Sequence, residues 1–373
     1  MVRIITSKLS LISFLLFLIT CARFYITPKI KEEPLIRVLL FSEITDSLII
    51  TAPEGFQLGE IRMKKGEKIV LKPKVSPKWI FGKEKEVKIT PLGKDYLRVG
   101  DLVLRGEVVL REEKGKIYIL NVLPLEEYLY SVVGCEIGPL NEKNFSAAKA
   151  QAVAARTYAI YRMFDNAGNF YHIYASPAKD QAYKGKNWET ELTRRAVKET
   201  RGEVLTFKGR PIIAYYHANC GGLTNSKDKP YLKSLPDSPG HSPGRKPFCA
   251  SSPHFSWELK IKKKELENIV KKEGIKKIFL KKDRKTKRVK RVEIKTKKGN
   301  LSLSGEEFRR LLGLKTNFFD LRIIGKEVEI KGRGWGHGWG MCQTGALEMA
   351  RRGYSYTAIL KHYYKGVKIE KIY

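Results

Sequence analysis

The sequence predicts a mixed α+β fold in which a small β-rich module precedes a larger domain of helices and strands. Residues 46–123 contain short β-like runs separated by glycines, a pattern typical of short strands joined by turns. A run over 146–164 contains seven alanines and neither glycine nor proline, which favours a helix. With 42% hydrophobic residues in 373, the chain can bury a sizeable core. That composition excludes wholesale disorder, a collagen-like repeat and a small disulfide scaffold.

The N-terminus has the pattern of an export signal over residues 1–22. Two basic residues precede an apolar run over 9–19, which is short for a membrane span of about 20 residues. The run ends in Thr20-Cys21-Ala22, which resembles a bacterial lipobox with Cys21 as the acylated residue. Cleavage after a small residue and retention as an anchor are the alternatives. The sequence therefore predicts an exported protein of the periplasm or cell envelope, attached to the membrane by this signal or by a lipid.

Positive charge dominates the chain, with 72 Lys and Arg against 39 Asp and Glu. Such an excess attracts polyanions. Because an exported protein does not meet the chromosome, we expect the polyanion to be an acidic polymer of the cell wall and not nucleic acid. The most basic stretch, 260–298, holds 19 Lys and Arg against five acids, yet apolar residues recur within it. We therefore expect a folded basic insertion over about 258–300, built from a helix and a hairpin.

Composition divides the rest of the chain into a tether over 23–45, the β-rich module over 46–105 and a larger domain over 106–373. The long helix can be capped by Asn144 or Ser146. Further segments of the larger domain are predicted as helices over 190–200 and 345–352, strands over 203–207 and 211–217, a loop-rich stretch over 218–256, and a glycine-rich loop over 332–340.

Four motifs stand out in the larger domain: VGCEIGP at 133–139, KAQAVAARTYA at 149–159, YYHANCGG at 215–222 and GWGHGWGMCQTGA at 334–346. Together they resemble the SpoIID/LytB family of cell-wall proteins, over about residues 106–364. The resemblance implies a SpoIID-like domain that binds peptidoglycan. It also implies one of two activities: lytic transglycosylase action on glycan strands stripped of stem peptides, or enhancement of a separate cell-wall amidase.

Glu136 is the candidate catalytic acid. Its neighbours Cys135 and Ile137 are apolar, and burial among apolar groups raises the pKa of a carboxyl group. The glycines on either side would let a sugar ring approach the backbone. A hydrolase needs a second carboxylate at a defined separation, and the sequence offers none in a comparable motif. A transglycosylase needs only one acid, because the muramic acid 6-hydroxyl supplies the nucleophile. The alternative for Glu136 is a buried structural carboxylate bonded to loop amides.

Substrate contacts are predicted from the long helix and from the two later motifs. Arginine suits a carboxylate because its fork binds both oxygens. The alternative for the helical residues is packing plus an internal salt bridge, and for the glycine-rich loop a tight turn with Trp in the core. Because successive strand residues face opposite ways, at most one of Tyr215 and Tyr216 lines a cleft. The predicted contacts are Lys149, Gln151, Arg156, Tyr158, Tyr216, His217, Trp335, His337 and Gln343.

The cysteines beyond Cys21 leave three possibilities open. Zinc bound by His217, Cys220 and Cys249 follows the mixed Cys/His pattern of structural sites. A Cys220–Cys249 disulfide suits an exported protein equally well. Free thiols are the third option, and Cys135 and Cys342 are expected to be small buried residues. No cofactor is required by the predicted chemistry.

The function predicted from these residues is cleavage of MurNAc–GlcNAc glycan strands by a lytic transglycosylase, giving 1,6-anhydroMurNAc ends. Glu136 would be the acid and base, and peptidoglycan strands the partner. A non-catalytic, wall-binding enhancer of an amidase is the main alternative, and a hydrolase is the second. Nucleic-acid binding is not expected of an exported protein.

Overall fold

The structure is a computed structural model that describes residues 30–73, 78–82, 84–93 and 96–373. The predicted export signal, with Cys21, lies outside these residues. Helices and strands are both abundant, which confirms the α+β prediction. Within the described ranges, no helix is long and apolar enough to span a membrane.

The helices of the described chain are α1 (Lys78–Phe81), α2 (Leu125–Ile137), α3 (Phe145–Asp165), α4 (Glu191–Glu199), α5 (Lys263–Val270), α6 (Gly305–Leu311), α7 (Gln343–Arg351) and α8 (Tyr356–Tyr363). The strands are β1 (Leu35–Phe41), β2 (Leu48–Thr51), β3 (Phe56–Leu58), β4 (Ile61–Met63), β5 (Ile69–Leu71), β6 (Glu86–Pro91), β7 (Leu97–Val99), β8 (Leu102–Leu104), β9 (Glu107–Glu113), β10 (Lys116–Pro124), β11 (Ile173–Tyr174), β12 (Glu203–Phe207), β13 (Arg210–Pro211), β14 (Tyr216–His217), β15 (Ser256–Lys262), β16 (Ile275–Lys282), β17 (Val289–Thr296), β18 (Gly299–Ser304), β19 (Phe319–Ile324), β20 (Glu327–Arg333), β21 (Met341–Cys342) and β22 (Lys368–Lys371).

The largest sheet has the strand order β11-β1-β10-β9-β6-β3-β4. Its strand β1 pairs antiparallel with β10 and parallel with β11. Ile36 and Val38 of β1 are fully buried, because alternate residues of a strand face the core. The predicted tether over 23–45 is therefore wrong for residues 35–41, whose apolar run forms an interior strand once β10 lies beside it.

The predicted boundary between 105 and 106 falls inside this sheet. Strand β6 precedes the boundary and β9 follows it, and the two pair directly, with Val87 opposite Leu110. Phe56 and Tyr128, one from each side, belong to the same hydrophobic core. The β-rich residues 46–105 therefore share a sheet and a core with the larger domain, and the prediction of a separate module is wrong.

Helix α3 crosses the core and contacts α2, α4, α7 and α8. It confirms the helix predicted over 146–164. Its alanines are fully buried, and their small side chains let the neighbouring helices approach closely. Residues on different faces of α3 therefore contact different helices, and only some of them can reach the candidate site.

The basic insertion is longer than predicted and has a core of its own. Strand β15 pairs with β20, so the inserted unit runs over 256–333 rather than 258–300. Leu266, Ile294 and Phe308 are fully buried within it. The predicted helix and hairpin are present as α5 with β16 and β17, and β18, α6, β19 and β20 complete the unit.

A short parallel pair, β14 with β21, joins the two later motifs. Tyr216 lies opposite Met341 and His217 opposite Cys342. The longer strand predicted over 211–217 is interrupted, because only its two ends, β13 and β14, form ladder pairs. The β14–β21 pair places the start of α7, with Gln343, beside the end of α2.

Candidate active site

Glu136 lies in the last turn of α2, and its side chain is half-buried. Its Oε1 accepts a hydrogen bond of 2.7 Å from the backbone N–H of Ala182. Its Oε2 accepts a longer one, 3.5 Å, from the Gln343 side-chain amide. The nearby Tyr216 hydroxyl also lowers the pKa of this carboxyl group. Two of the predicted contacts, Tyr216 and Gln343, are thus brought to Glu136.

Burial raises the pKa of the Glu136 carboxyl above its ordinary value, and the hydrogen bonds from Ala182, Gln343 and Tyr216 lower it by less. The position of Glu136 at the C-terminal end of α2 acts in the same direction as burial, because that end of a helix carries partial negative charge. A carboxyl group with a raised pKa retains its proton closer to neutral pH. It can therefore donate that proton to a leaving oxygen.

A second layer of amides holds these partners in place. Gln181 donates from its Nε2 to the Tyr216 hydroxyl at 2.8 Å, and its Oε1 accepts from the Tyr128 hydroxyl at 3.1 Å. The Gln343 Nε2 also donates to the Oε1 of Gln151 at 3.4 Å. Gln151 is fully buried, so the structure makes it a support for Gln343 instead of the predicted substrate contact.

A groove of about 550 Å³ opens beside Glu136, and we call it the Glu136 groove. Trp188 is 44% exposed on its wall, and the Lys184 ammonium lies 4.5 Å from the centre of the Trp188 ring. An exposed indole with a cation beside it suits a sugar ring that carries a carboxylate. The residues that line the groove are Gly134, Cys135, Glu136, Gly138, Pro139, Leu140, Asn187, Trp188, Thr190, Leu192 and Thr193.

Gly134 has a packing role in this wall. A Cβ atom at this position would lie 2.0 Å from the carbonyl oxygen of Trp188. The missing side chain therefore lets α2 pack against the turn that carries Trp188. This corrects the expectation for Gly134, whose lack of a side chain admits the protein's own backbone instead of a sugar ring.

Arg156 is fully buried and takes no part in the groove. Its Nε and Nη2 donate to the two carboxylate oxygens of Glu126 at 2.8 and 2.6 Å. Its Nη1 donates to the carbonyl oxygen of Glu203. Every nitrogen of the fork is thus used inside the protein. Of the two roles considered for Arg156, the structure supports the internal salt bridge, and the substrate contact is wrong.

Lys149 and Tyr158 have partners away from Glu136. The Lys149 ammonium pairs with the Glu199 carboxylate of α4 at 2.8 Å. The Tyr158 hydroxyl donates to Asp180 at 2.8 Å, and only 7% of Tyr158 is exposed. Both side chains therefore have partners within the protein, and their contact with substrate stays a prediction.

The glycine-rich loop forms an aromatic cluster on the other side of β14. His337 stacks on Trp339 with ring centres 4.8 Å apart, and Tyr215 lies 5.5 Å from Trp339. The Lys227 ammonium lies 4.1 Å from the Trp339 ring centre. Burial, followed by the nearby His217, lowers the pKa of His337, so its imidazole is neutral at pH 7. Tyr215 and Tyr216 face opposite sides, as strand geometry requires.

Trp335 and His217 differ in exposure. Trp335 is 43% exposed and lies edge-on against His254, so the alternative of a core tryptophan is wrong for this residue. His217 is 4% exposed, and its Nδ1 lies 3.0 Å from the carbonyl oxygen of Trp339. Neither residue lines the Glu136 groove as the structure describes it.

Four buried ligand-type side chains meet next to β21: Cys220, Asp237, Cys249 and Cys342, which we call the cysteine cluster. Their sulfur and oxygen atoms all lie within 4.8 Å of one another. Cys220 and Cys249 are neighbours, with their sulfur atoms 3.5 Å apart and not joined by a disulfide bond. The cluster differs from the predicted ligand set, because Asp237 and Cys342 are present and His217 is outside it.

Sequence reasoning missed Gln181, Trp188 and Asp237. Gln181 and Trp188 lie in a segment with little regular structure between α3 and α4, where no hydrophobic period marks a side chain. Asp237 lies in the proline-rich loop over 218–256, where an acid ordinarily indicates a solvated turn.

The fold and the groove define a mixed α+β domain built around a half-buried glutamate. A model of the SpoIID family, described as Stage II sporulation protein, matches residues 113–207, which include α2, α3 and Gln181. Stage II sporulation protein D of Bacillus subtilis (strain 168) is 31% identical over 274 residues, covering 67% of this chain and 75% of that protein. The chain belongs to the SpoIID family.

Two further relatives differ in how much they share. An uncharacterized protein of Brachyspira hyodysenteriae is 32% identical over 275 residues, covering 71% of each chain. The amidase enhancer of Bacillus subtilis (strain 168) is 26% identical over 282 residues, which is 61% of this chain but only 38% of the enhancer. Similarity to this enhancer is therefore confined to a part of its length.

Proposed function

We propose that this protein is a peptidoglycan lytic transglycosylase that cleaves glycan strands with Glu136 as its acid and base. The observation that carries the proposal is the setting of Glu136. The group is half-buried, its pKa is raised, its partners are neutral, and it borders a groove with an exposed Trp188. The names of its relatives, a sporulation protein and an amidase enhancer, agree with a role at the cell wall.

One carboxyl group is sufficient for this reaction. Protonated Glu136 donates its proton to the glycosidic oxygen between MurNAc and GlcNAc, and the bond from that oxygen to the anomeric carbon breaks. The 6-hydroxyl of the same MurNAc attacks the anomeric carbon, and the Glu136 carboxylate takes the hydroxyl proton. The 1,6-anhydro ring forms, no water is consumed, and Glu136 ends in its starting state.

The neighbours of Glu136 suit these two proton transfers. The Ala182 N–H holds one carboxyl oxygen, which leaves the other for the substrate oxygen. Gln343 and Tyr216 stabilise the carboxylate that exists between the two transfers. We assign Trp188 as the platform for a sugar ring and Lys184 as the partner of a lactyl carboxylate, because Trp188 lines the groove and the Lys184 ammonium lies beside its ring.

The charge of the chain fits the proposed substrate. A formal net charge of +33 draws the protein to an anionic wall polymer. We place the protein in the periplasm or cell envelope, and we do not propose nucleic acid as a partner. Attachment through residues 1–22 or a lipid at Cys21 belongs to the same proposal.

Enhancement of a cell-wall amidase is the second candidate function. The similarity to the amidase enhancer favours it, as does the structural alternative for Glu136, a carboxylate tied to the Ala182 amide. In that function the groove would bind glycan without cleaving it. The second candidate predicts that Glu136→Gln leaves the stimulation of an amidase intact.

The deciding experiment incubates the wild-type protein and Glu136→Gln with glycan strands stripped of stem peptides. Mass spectrometry of the products separates the possibilities. We expect 1,6-anhydroMurNAc ends from the wild type and none from the variant. Reducing MurNAc ends would indicate a hydrolase, and no product from the wild type, with equal glycan binding by both proteins, would indicate an enhancer. Glu273→Gln, an exposed change in the basic insertion, is the matched control.

A further inference from the structure

We propose that the cysteine cluster, formed by Cys220, Asp237, Cys249 and Cys342, binds a structural zinc ion. All four side chains are almost completely buried, and they offer three sulfurs and one carboxylate oxygen at one point. Thiolate and carboxylate are ordinary zinc ligands, and closed sites with four protein ligands are the structural kind. The proposal stands apart from the proposed function, because none of these residues acts on glycan.

The spacing of the ligand atoms fits a tetrahedral ion. The Cys220 Sγ lies 3.5 Å from the Cys249 Sγ and 3.3 Å from Oδ2 of Asp237. With Zn–S near 2.3 Å and Zn–O near 2.1 Å, a tetrahedral site has ligand separations of about 3.6–3.8 Å. Expansion of these two contacts by a few tenths of an ångström would give tetrahedral separations, and the other ligand atoms already lie within 4.8 Å of one another.

Asp237 is oriented for this role by its other oxygen. Its Oδ1 accepts a hydrogen bond of 2.7 Å from the Tyr363 hydroxyl, and His362 lies 3.7 Å away. A Cβ at Gly345 would lie 2.1 Å from the Tyr363 oxygen, so the glycine keeps this contact open. Hydrogen bonds to the far oxygen of a ligating carboxylate are the usual outer layer of a metal site.

Among the residues that the structure describes, the buried cation beside the cluster has no acidic partner. Arg288 is 2% exposed, and its Nη2 donates to the carbonyl oxygens of Cys220 and Leu223 at 3.2 and 3.0 Å. Within the described ranges of the chain, its Nε and Nη1 have no hydrogen-bond partner. A buried charge is strongly unfavourable without an opposite charge nearby. Three thiolates and a carboxylate around a divalent ion retain negative charge and would balance Arg288.

The proposed ion would join segments that have little regular structure of their own. Cys220, Asp237 and Cys249 lie on the loop-rich stretch that follows β14, whereas Cys342 belongs to β21. Cys342 directly precedes Gln343, which donates to Glu136. Zinc at the cluster would therefore fix the start of α7 and, through it, the position of Gln343.

Metal content of the full chain, purified without chelator, tests the proposal. We expect elemental mass spectrometry to find about one zinc ion per chain. Cys249→Ser and Cys342→Ser should lose the ion, and Asp237→Asn should bind it more weakly. Cys135→Ser, a half-buried thiol outside the cluster, is the matched control and should keep full zinc content.

A measurement on the wild-type protein tests the proposal even if the variants fail to fold. A strong chelator should lower the Tm of the wild type by about 10 °C, and added zinc should restore it. Cobalt(II) in place of zinc should show the thiolate charge-transfer bands of a tetrahedral site. Two results would overturn the proposal: Cys220 and Cys249 recovered as a disulfide, or a metal-free protein with both thiols reactive.

Discussion

Glu126 and Glu136 lie at opposite ends of helix α2, and their carboxyl groups have opposite kinds of partner. Glu126 is 3% exposed and receives both arms of the Arg156 fork. Glu136 receives hydrogen bonds from neutral groups only, and it borders a groove. A buried acid with a guanidinium partner is a packing element. A half-buried acid with neutral partners retains its proton to higher pH and can therefore act as a general acid.

The two ends of α2 therefore separate stability from activity within one helix. Glu126 is in the first turn, where the helix dipole favours a negative charge, and Glu136 is in the last turn, where it does not. Variants at the Glu136 end should therefore lose activity, and variants at the Glu126 end should lose stability.

The largest expected effect is on glycan cleavage by Glu136→Gln. The amide cannot donate or accept the transferred proton, so the rate should fall by about 10²–10⁴-fold. Steady-state assays with denuded glycan measure this loss, and circular dichroism should show a native fold. Equal rates for the variant and the wild type would remove Glu136 from the reaction.

Arg156→Ala should instead reduce stability, because it leaves the Glu126 carboxylate buried without its partner. We expect the free energy of unfolding to fall by about 3–5 kcal/mol, measured by chemical denaturation. Replacing both members, as Glu126→Gln with Arg156→Met, should recover part of the loss. A stable Arg156→Ala protein with weakened glycan binding would return Arg156 to the substrate site.

Trp188→Ala should weaken substrate binding without changing the chemical step. The loss of one stacking surface is expected to raise KM by about 3–10-fold and to leave kcat nearly unchanged. Trp335→Ala, which removes a similarly exposed indole from the glycine-rich loop, is the comparison. A larger effect from Trp335→Ala would place the sugar platform on that loop.

Tyr216→Phe should produce the smallest change, a shift in pH dependence. The Tyr216 hydrogen bond lowers the pKa of Glu136, so its removal should raise that pKa further. Activity that needs protonated Glu136 should then persist to higher pH, which a profile of kcat/KM against pH would reveal. An unchanged alkaline limb would indicate that this hydroxyl does not act on Glu136.

The stability of the wild type should respond to the same group. Because burial raises the folded-state pKa of Glu136 above its unfolded value, stability falls as pH rises between the two values. The advantage of Glu136→Gln in Tm should therefore grow across that window and level off above it. An advantage independent of pH would contradict the raised pKa.

Local signals in the sequence predicted the helices and the central acid well. The alanine-rich run forms α3 over nearly its predicted length, and Thr190 caps α4 at the predicted start. The apolar neighbours of Glu136 predict a raised pKa for its carboxyl group, and burial raises that pKa as expected. These features depend on residues close in sequence, so local propensity and patterning were sufficient.

Predictions that depended on distant partners were less accurate. The sequence predicts Lys149 and Arg156 as substrate contacts, because a basic residue on a helix face does not reveal which acid faces it. Their partners within the protein, Glu199 and Glu126, lie 50 and 30 residues away. The sequence places residues 35–41 in a tether for the same reason, since an isolated apolar run does not identify the strand that will cover it.

The mixed class of the fold, the long helix, the motifs and the acid of the proposed chemistry can all be predicted from the sequence alone. The tertiary structure decided which charges are paired, which glutamate faces a groove and that Cys342 joins Cys220 and Cys249 beside Asp237. The physical reason is that burial and charge pairing arise from contacts between residues far apart in the chain. Local sequence fixes only conformational preference.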